Sequence, residues 1–268
     1  MHIRNTILLF IGLAITSSAM ADVQVTMQEN QDGKSVVKLN RDWARIANQA
    51  MPDNYMLIDM NKQVSYMIDT EQKIVMKLED MGDMIPPMMQ NPGGMKKPDI
   101  SISEAGGGPT VAGFKTMRYL LKIENQLCSE HFLSKEPLSI PEIKRFAKVM
   151  EKQADMNMGM GMPGSPCELA EIEFDKQAFK FGIPLMSKNS AGNETFIITE
   201  IKDGVRFSTQ EFDLPKGYQV VSQQELMQRE MNRAMENMPS DEQTGEMDSQ
   251  MQVQLKKLQD MFNTPAEN

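Results

Sequence analysis

One stretch of this chain constrains the fold more than any other: residues 109–123, which read P-T-V-A-G-F-K-T-M-R-Y-L-L-K-I. From Met117 to Ile123, apolar and polar side chains largely alternate. That period of two is typical of a half-buried β-strand, because successive side chains of a strand point to opposite faces. Segments of similar character precede and follow it, so we predict a sheet organised around this strand.

The first 21 residues predict export. Arg4 supplies a positive charge, residues 7–15 are apolar, and Ala19-Met20-Ala21 fits a cleavage site, so the mature chain should begin at Asp22. No cysteine stands at the cleavage site, which argues against a lipid anchor. No later stretch is apolar enough to span a membrane. We expect a periplasmic protein of a Gram-negative bacterium, with an uncleaved anchor as the alternative.

The charge balance narrows the choice of partners. Removing Arg4 with the signal leaves 27 of the 28 basic residues against 37 acidic ones, a net charge of −10. Nucleic acids and anionic membrane surfaces require basic patches, so both are disfavoured as partners.

The remaining pattern divides the mature chain into a domain and appendages. Short strands are predicted at 22–30, 35–39, 43–46, 55–60, 63–68, 73–78, 125–133, 179–186, 194–201 and 205–209. A capping box at Ser139 and Glu142 predicts an amphipathic helix that ends near Met156. Residues 79–108 are rich in Pro, Gly and Met and predict an insertion with at most a helical turn. The predicted domain spans 22–221, and a second capping box at Ser222 opens a helical, acidic tail over 222–268.

Cysteine and methionine carry the possible metal chemistry. Cys128 and Cys167 are the only cysteines, and an even pair in an oxidising compartment predicts a disulfide, with free thiols or a metal role as alternatives. The chain has 27 methionines. Four methionines stand at alternate positions from 156 to 162. Their thioethers are soft ligands that suit Cu(I), and the alternative is an apolar, pliable loop that covers a cavity or a partner. They are Met156, Met158, Met160 and Met162. The methionine stripes of the tail fit either a partner groove or packing against the domain.

No catalytic set is evident in the sequence. His131 is the one histidine of the mature chain, so any Ser-His-Asp or Cys-His arrangement would have to use it. We predict a structural or surface histidine, with a metal site shared with Cys128 as the alternative. Asp59 has no partner carboxylate at a recognisable spacing, which favours a role in a turn. We therefore expect no catalytic residues, no cofactor other than possible Cu(I), and no enzyme activity.

Four motifs together resemble a known family. They are V-A-G-F-K-T-M-R-Y at 111–119, Y-M-L-I-D-M-N-K-Q-V-S-Y at 55–66, G-I-P-L at 182–185 and F-D-L-P-K-G-Y at 212–218. They resemble domain-of-unknown-function family 4412, which is similar in fold to the periplasmic lipoprotein carriers. The resemblance covers roughly 22–221. It implies an α+β fold: an open antiparallel half-barrel covered by helices, with strand 109–123 at its centre and, in this chain, a helical tail behind it.

The same resemblance suggests a function. In the lipoprotein carriers the cavity holds acyl chains, so we expect a ligand cavity lined by apolar residues of the central strand and the covering helix. These residues are Met117, Tyr119, Leu121, Ile123, Phe146 and Met150. The expected function is a non-enzymatic periplasmic binding or carrier protein for an apolar or acylated ligand or an envelope partner. The alternative is a methionine-rich Cu(I)-binding or envelope stress protein.

Overall fold

A computed structural model describes residues 21–29, 33–78, 98–156 and 165–222, together with Glu225, Arg229 and Asn232. The strands are β1 (Asp22–Glu29), β2 (Lys34–Leu39), β3 (Trp43–Asn48), β4 (Asn54–Asp59), β5 (Val64–Asp69), β6 (Ile74–Leu78), β7 (Ile100–Gly107), β8 (Met117–Ile123), β9 (Gln126–Ser134), β10 (Ile183–Asn189), β11 (Glu194–Val205) and β12 (Gln219–Ser222). The α-helices are α1 (Pro141–Met156), α2 (Pro166–Asp175) and α3 (Ala178–Phe181). Two 3₁₀-helices lie at Glu136–Ser139 and Thr209–Phe212.

All twelve strands belong to one open sheet. Their order is β12-β6-β5-β4-β3-β2-β1-β11-β10-β9-β8-β7. Every neighbouring pair is antiparallel except β12 and β6, which are parallel. Strands β1 to β6 are neighbours in chain order, as expected for strands joined by short turns. The pairing of β1 with β11 then joins these six strands to the later ones.

The turn between β4 and β5 shows how local chemistry ends a strand. The carboxylate of Asp59 accepts hydrogen bonds from the backbone N–H groups of Asn61 and Lys62, at 3.1 and 2.9 Å. Asp side chains stabilise turns in this way. The predicted turn role of Asp59 is therefore confirmed.

Helix α1 packs on the centre of the sheet. Its residues Ile143, Ala147 and Val149 are buried in one cluster with Val23 and Val37 of the first two strands. The amphipathic pattern predicts this helix correctly. The predicted cap does not form, because Ser139 belongs to the 3₁₀-helix that precedes α1, where its hydroxyl donates to the carbonyl oxygen of Glu136.

Helix α2 packs on the other end of the sheet, over β8 and β9. Phe174 and Ala170 are buried in a second cluster with Leu121 and Leu133. The helix begins with Ser165, whose hydroxyl accepts the backbone N–H of Glu168 at 3.1 Å. Such a cap satisfies an N–H group that has no partner inside the helix.

The junction of α3 with β10 depends on glycine. Gly182 has a φ of +144°. A Cβ at this position would lie 2.7 Å from the backbone carbonyl of Ser134. A residue with a side chain would therefore be strained in its backbone and would clash with β9. The motif G-I-P-L thus holds β10 close to β9, where the functional site described below is formed.

Residues 206–218 contain no strand and lie on the face of the sheet opposite α1. We call them the crossing segment. It leads from β11 to β12 and thus passes from the middle of the sheet to its edge. Lys38 of β2 forms an ion pair with Glu211 of this crossing segment. Tyr218 packs against a third buried cluster that contains Leu57 and Ile68. Leu57 and its neighbour Ile58 belong to different clusters, so the crossing segment and α1 lie on opposite faces.

The predicted fold class is wrong. The described residues form one large open sheet of twelve strands with short helices, and not an α+β half-barrel covered by helices. Short turns join β1 to β6, so each strand adds to the edge of the sheet. The helices cover only part of one face of the resulting sheet. The tail at 222–268 lies outside the described residues apart from Ser222, Glu225, Arg229 and Asn232.

Two further predictions need correction. The organising strand is regular only from Met117, because Val111 and Phe114 form an isolated bridge within a tight turn. It is also second from the edge of the sheet and not central. In addition, β7 at Ile100–Gly107 is a strand inside the predicted insertion 79–108. Its pairing with β8 outweighs the low strand preference of its glycines.

Among the described residues, no helix has the length and apolar character needed to cross a membrane. The predicted signal peptide and the predicted domain boundaries stay predictions.

Candidate functional site

A cavity of about 700 Å³ lies between α1, α2 and the face formed by β9, β10 and β11. One part of its wall is apolar: Met150, Ala154, Ile172, Phe174, Ala178, Phe179, Pro184 and Phe196. The other part carries hydrogen-bonding and charged groups: Glu29, Ser129, His131, Gln153, Glu171, Asp175, Ser187, Lys188, Asn189 and Thr195. A mixed wall of this kind, within the usual size range of 300–1,000 Å³ or so, is typical of small-molecule sites.

The pairing of β9 with β10 brings the central polar groups together. Ser187 lies directly opposite His131, and Asn189 lies opposite Ser129. Residues two apart on a strand share a face, so all four side chains belong to the same side of the sheet. The Ser129 hydroxyl is 2.7 Å from His131 Nε2, and the Ser187 hydroxyl is 3.0 Å from His131 Nδ1.

Helix α2 contributes two carboxylates to this polar group. Glu171 and Asp175 are four residues apart and therefore lie on the same side of the helix. Glu171 Oε2 is 3.2 Å from His131 Nε2. Burial raises the pKa of Glu171, but hydrogen bonds with His131 and Ser129 outweigh burial and leave that pKa below its ordinary value.

Asp175 has the opposite character. Desolvation inside the cavity, and then the neighbouring Glu171 carboxylate, raise the pKa of Asp175 to about 6. The residue is nevertheless exposed at the rim of the cavity, so solvent screens part of this effect. Two carboxylates on one helix face thus differ in their proton affinity because only Glu171 is hydrogen-bonded to His131.

The imidazole of His131 is fixed on all sides. It is 5 % exposed and stacks on the ring of Phe174 with 3.9 Å between the ring centroids. Both of its nitrogens have partners. The histidine is therefore buried and structural in its packing, as the sequence predicts, but it is also part of a polar site that the sequence does not reveal.

The disulfide prediction is confirmed. Cys128 and Cys167 are bridged, with their Cα atoms 5.3 Å apart, and the bridge ties α2 to β9 beside the cavity. Because both sulfurs are in the bridge, neither is a thiolate ligand. The described residues contain no group of three or more His, Cys, Asp or Glu side chains placed to hold a metal.

The predicted ligand-cavity residues are not gathered around one cavity. Tyr119, Leu121 and Ile123 are buried in the cluster beneath α2, and Met117 is 37 % exposed. Phe146 and Met150 pack on the separate cluster beneath α1. Of the six, only Met150 lines the cavity.

The predicted Cu(I) ligands cannot be assessed in the described residues. Met158, Met160 and Met162 lie outside them, and the structure gives only the backbone of Met156, at the end of α1. The Cu(I) site stays a prediction.

Helix α2 is not among the elements predicted from the sequence, and without it the polar site cannot be inferred. Its sequence signal is present: Ser165-Pro166-Cys167-Glu168 combines an N-cap serine, a proline in the first turn and a glutamate three residues after the serine. With α2 assigned, Glu171 would fall on a helix tied to β9 by the predicted disulfide. Its proximity to His131 could then have been inferred. The residues 179–181 are likewise helical, and strand β10 begins only at Ile183.

Comparisons with known proteins give weak similarity only. Neither a family model nor a curated protein matches the chain, so the resemblance to family 4412 stays a prediction. Among solved structures, PNGF-II has 9 % identity and a TM-score of 0.40, over 79 % of this chain and 33 % of that one. MucB of Pseudomonas aeruginosa in complex with MucA has 12 % identity and a TM-score of 0.35, over 76 % of this chain and 58 % of that one. A structure of MucB alone gives 11 % and 0.29, over 76 % and 60 %. The chain spans less than two thirds of each of these proteins, and no function is taken from them.

Proposed function

We propose that this is an exported binding protein that holds an acylated ligand in the cavity between α1, α2 and β9–β11. The observation that carries the proposal is the cavity itself, which combines an apolar wall with the polar group around His131. An apolar chain would lie against the wall, and the polar end of the ligand would face the strands.

The apolar wall supplies the affinity. Phe174, Phe179 and Phe196 come from three different elements and face the same space. Each methylene group transferred from water into such a space contributes about 0.8 kcal/mol. An acyl chain of several carbons is therefore enough to favour binding without a strong polar contact.

The charges around the cavity select the polar end of the ligand. Three carboxyl groups, those of Glu29, Glu171 and Asp175, line it against the single ammonium group of Lys188. A free fatty-acid carboxylate would be repelled, whereas an ester or amide would not. The side-chain amide of Asn189 supplies a hydrogen-bond donor for the ester oxygens. The ligand class proposed is therefore an acyl ester or acylated molecule and not a free fatty acid.

The disulfide supports the proposed compartment. Stable disulfides form in oxidising environments such as the bacterial periplasm. The bridge between Cys128 and Cys167 agrees with the signal sequence predicted at 1–21. We propose a periplasmic location on these two grounds.

Ligand binding can be tested with a matched pair of variants. Native mass spectrometry of protein isolated from its own cell envelope should show a bound acyl species. Titration with a fluorescent monoacyl ester should saturate, and a fluorescent fatty acid should bind at least tenfold more weakly at pH 7. Ala154→Trp fills the cavity from α1 and should abolish binding of the ester, whereas Lys144→Trp, exposed on the same helix, should not.

Two results would contradict this function. One is protein that is free of ligand by native mass spectrometry and takes up neither probe. The other is equal binding by the Ala154→Trp and Lys144→Trp variants, which would place any binding outside the cavity.

A further inference from the structure

The hydrogen bonds of His131 determine which of its nitrogens carries the proton. His131 Nε2 lies 3.2 Å from the Glu171 carboxylate, which only accepts hydrogen bonds, and on this contact we assign the ring proton to Nε2. In the neutral imidazole Nδ1 is then an acceptor. The hydroxyl 3.0 Å from Nδ1 belongs to Ser187, which therefore donates its proton to the ring.

Ser129 completes the same chain of hydrogen bonds. Its hydroxyl lies 2.7 Å from Nε2 and is also hydrogen-bonded to Glu171. Since the carboxylate only accepts, the Ser129 hydroxyl donates to Glu171 and can accept from Nε2–H. The nitrogen that carries the proton, Nε2, thus faces Ser129 and Glu171. The nitrogen without a proton, Nδ1, has Ser187 as its partner.

Ser187 is the member of this set that a ligand can reach. It is half-buried and lines the cavity, whereas Ser129 is 4 % exposed. A hydroxyl that donates to an imidazole, whose other nitrogen is bound to a carboxylate, is the arrangement that activates a serine nucleophile. Stacking on Phe174 prevents the ring from turning away.

Asn189 offers a side-chain amide, on the same strand face as Ser187, for the oxyanion that such a nucleophile would create. Its Oδ1 accepts the backbone N–H groups of Ala191 and Asn193, at 3.1 and 3.0 Å. The amide orientation is therefore fixed, and Nδ2 is left as a donor. Asn189 is two residues after Ser187 on the same strand face and also lines the cavity. A side-chain amide is one of the groups that stabilise tetrahedral intermediates.

We propose that Ser187 is a nucleophile and that the cavity hydrolyses carboxylic esters with an apolar acyl group. The Ser187 Oγ forms a bond to the ester carbonyl carbon while its proton moves to His131 Nδ1. The tetrahedral intermediate then collapses, the bond from carbon to the alkoxy oxygen breaks, and the proton passes from Nδ1 to the departing alcohol. Water repeats the sequence on the acyl-serine, with its proton again held by Nδ1, and releases the acid and free Ser187.

The negative charge of the cavity would favour release of the acid product. The acid released is an anion at neutral pH, and it is formed beside the carboxylates of Glu171 and Asp175. The same repulsion that disfavours a free fatty acid as ligand would therefore expel the product. Ser187, His131 and Asn189 touch the reacting atoms in this scheme, whereas Glu171 and Ser129 position the imidazole.

A serine-reactive fluorophosphonate and a series of p-nitrophenyl acyl esters test the proposal. The purified protein should take up one phosphonyl group, located by peptide mass spectrometry on Ser187, and should turn over the esters. Ser187→Ala should remove the label and reduce turnover by about a hundredfold or more. Ser101→Ala changes an exposed serine on β7 and should leave both unchanged. A Ser187→Cys variant, alkylated by iodoacetamide at pH 6 at least tenfold faster than Ser101→Cys, would show the same activation by a second chemistry.

The positioning role of Glu171 has its own readout. Glu171→Gln should lower turnover about tenfold to a hundredfold and displace the pH at which the rate rises, with partial recovery in Glu171→Asp. A merely structural role would change the urea midpoint without moving the pH profile.

The inference rests on the proposed cavity but fails separately from it. If the protein binds the fluorescent monoacyl ester but is not labelled, or if Ser187→Ala is labelled as fully as the parent, the nucleophile is overturned and the binding function stands. If the protein neither binds the ester nor is labelled, both are overturned.

Discussion

The two halves of the sheet are built in different ways. In the hairpin half, β1 to β6 with β12, nearly every strand pairs with its neighbour in the chain. In the pocket half, β7 to β11 with α2 and α3, the polar site combines groups from β9, β10 and α2. His131 and Ser187 are 56 residues apart in the sequence. The hairpin half provides a sheet, and the pocket half uses that sheet to hold buried polar groups together.

The contents of the two halves differ accordingly. Beneath the crossing segment, Leu57, Ile68 and Val75 form an apolar cluster edged by Trp43 and three tyrosines. Beneath α2, the apolar cluster of the pocket half continues into the group around His131. A buried polar group must be fully hydrogen-bonded to be tolerated, and the described residues contain no buried side-chain polar atom without a partner. The proposed binding function therefore belongs to the pocket half, and the hairpin half lacks a comparable buried polar group among the described residues.

Removing the disulfide should have the largest effect and should separate the two halves. The bridge closes a separation of 39 residues, for which the chain-entropy model gives about 4 kcal/mol of stability. The double variant Cys128→Ala, Cys167→Ala should lose about that much in urea unfolding. Hydrogen exchange should show faster exchange in β8 and β9 than in β3 to β5. An equal increase in exchange rate in both halves would show that the sheet unfolds as a single cooperative unit, so that the two halves do not differ in this respect.

Two leucine truncations of equal burial test the division of labour. Leu57 in the hairpin half and Leu121 in the pocket half are both 0 % exposed. Either change to alanine should reduce the free energy of unfolding by about 3 kcal/mol. Only Leu121→Ala should also weaken binding of the monoacyl ester, because Leu121 lies in the cluster that supports α2. Equal loss of affinity in both variants would mean that the halves are not independent.

A smaller effect concerns the pH dependence contributed by Asp175. Its pKa is raised from the ordinary value of 3.8 to about 6 in the folded protein. Between these values the folded state binds more protons than the unfolded state, so this residue makes stability fall as pH rises. Asp175→Asn removes that contribution and should stabilise the protein at pH 7 by about 1 kcal/mol or less, since the residue is exposed. The difference should vanish below about pH 4.

Thermal unfolding of the Asp175→Asn variant at a series of pH values measures this difference. Glu71→Gln, which changes an exposed carboxylate in the turn between β5 and β6, serves as the control. A stabilisation at pH 7 that is the same in both variants would reflect net charge and not the environment of Asp175.

The smallest predicted effect is in the crossing segment. Lys38 and Glu211 form an ion pair with side chains 25 % and 33 % exposed. A double-mutant cycle with Lys38→Met and Glu211→Gln should give a coupling energy of about 0.5 kcal/mol that decreases with added salt. A coupling of zero would show that the segment is held by apolar contacts such as those of Phe212, which is 3 % exposed.

Local sequence patterns were sufficient for most individual elements. Local apolar patterns and turn residues predicted β1, β2, β4 to β6, β8, β9 and β11, because the period of a strand depends only on the residues within it. The pattern at 42–50 also fitted a short helix, and its brevity and the neighbouring strands favoured β3. The helix Pro141–Met156 followed from its apolar stripe in the same way. The disulfide followed from an even pair of cysteines and a predicted export signal. The turn role of Asp59 followed from the lack of a partner carboxylate at a recognisable spacing.

The tertiary structure decided how those elements assemble. Nothing in the pattern of Met117–Ile123 states how many strands lie on either side of it, and it proved to be second from the edge. Pairing is a relation between segments that are distant in the chain, whereas periodicity is a property of one segment. The site illustrates the same limit: Ser187, His131 and Glu171 are each ordinary in the sequence. They become a hydrogen-bonded chain only because strand register places Ser187 opposite His131 and the disulfide-tied helix brings Glu171 above them.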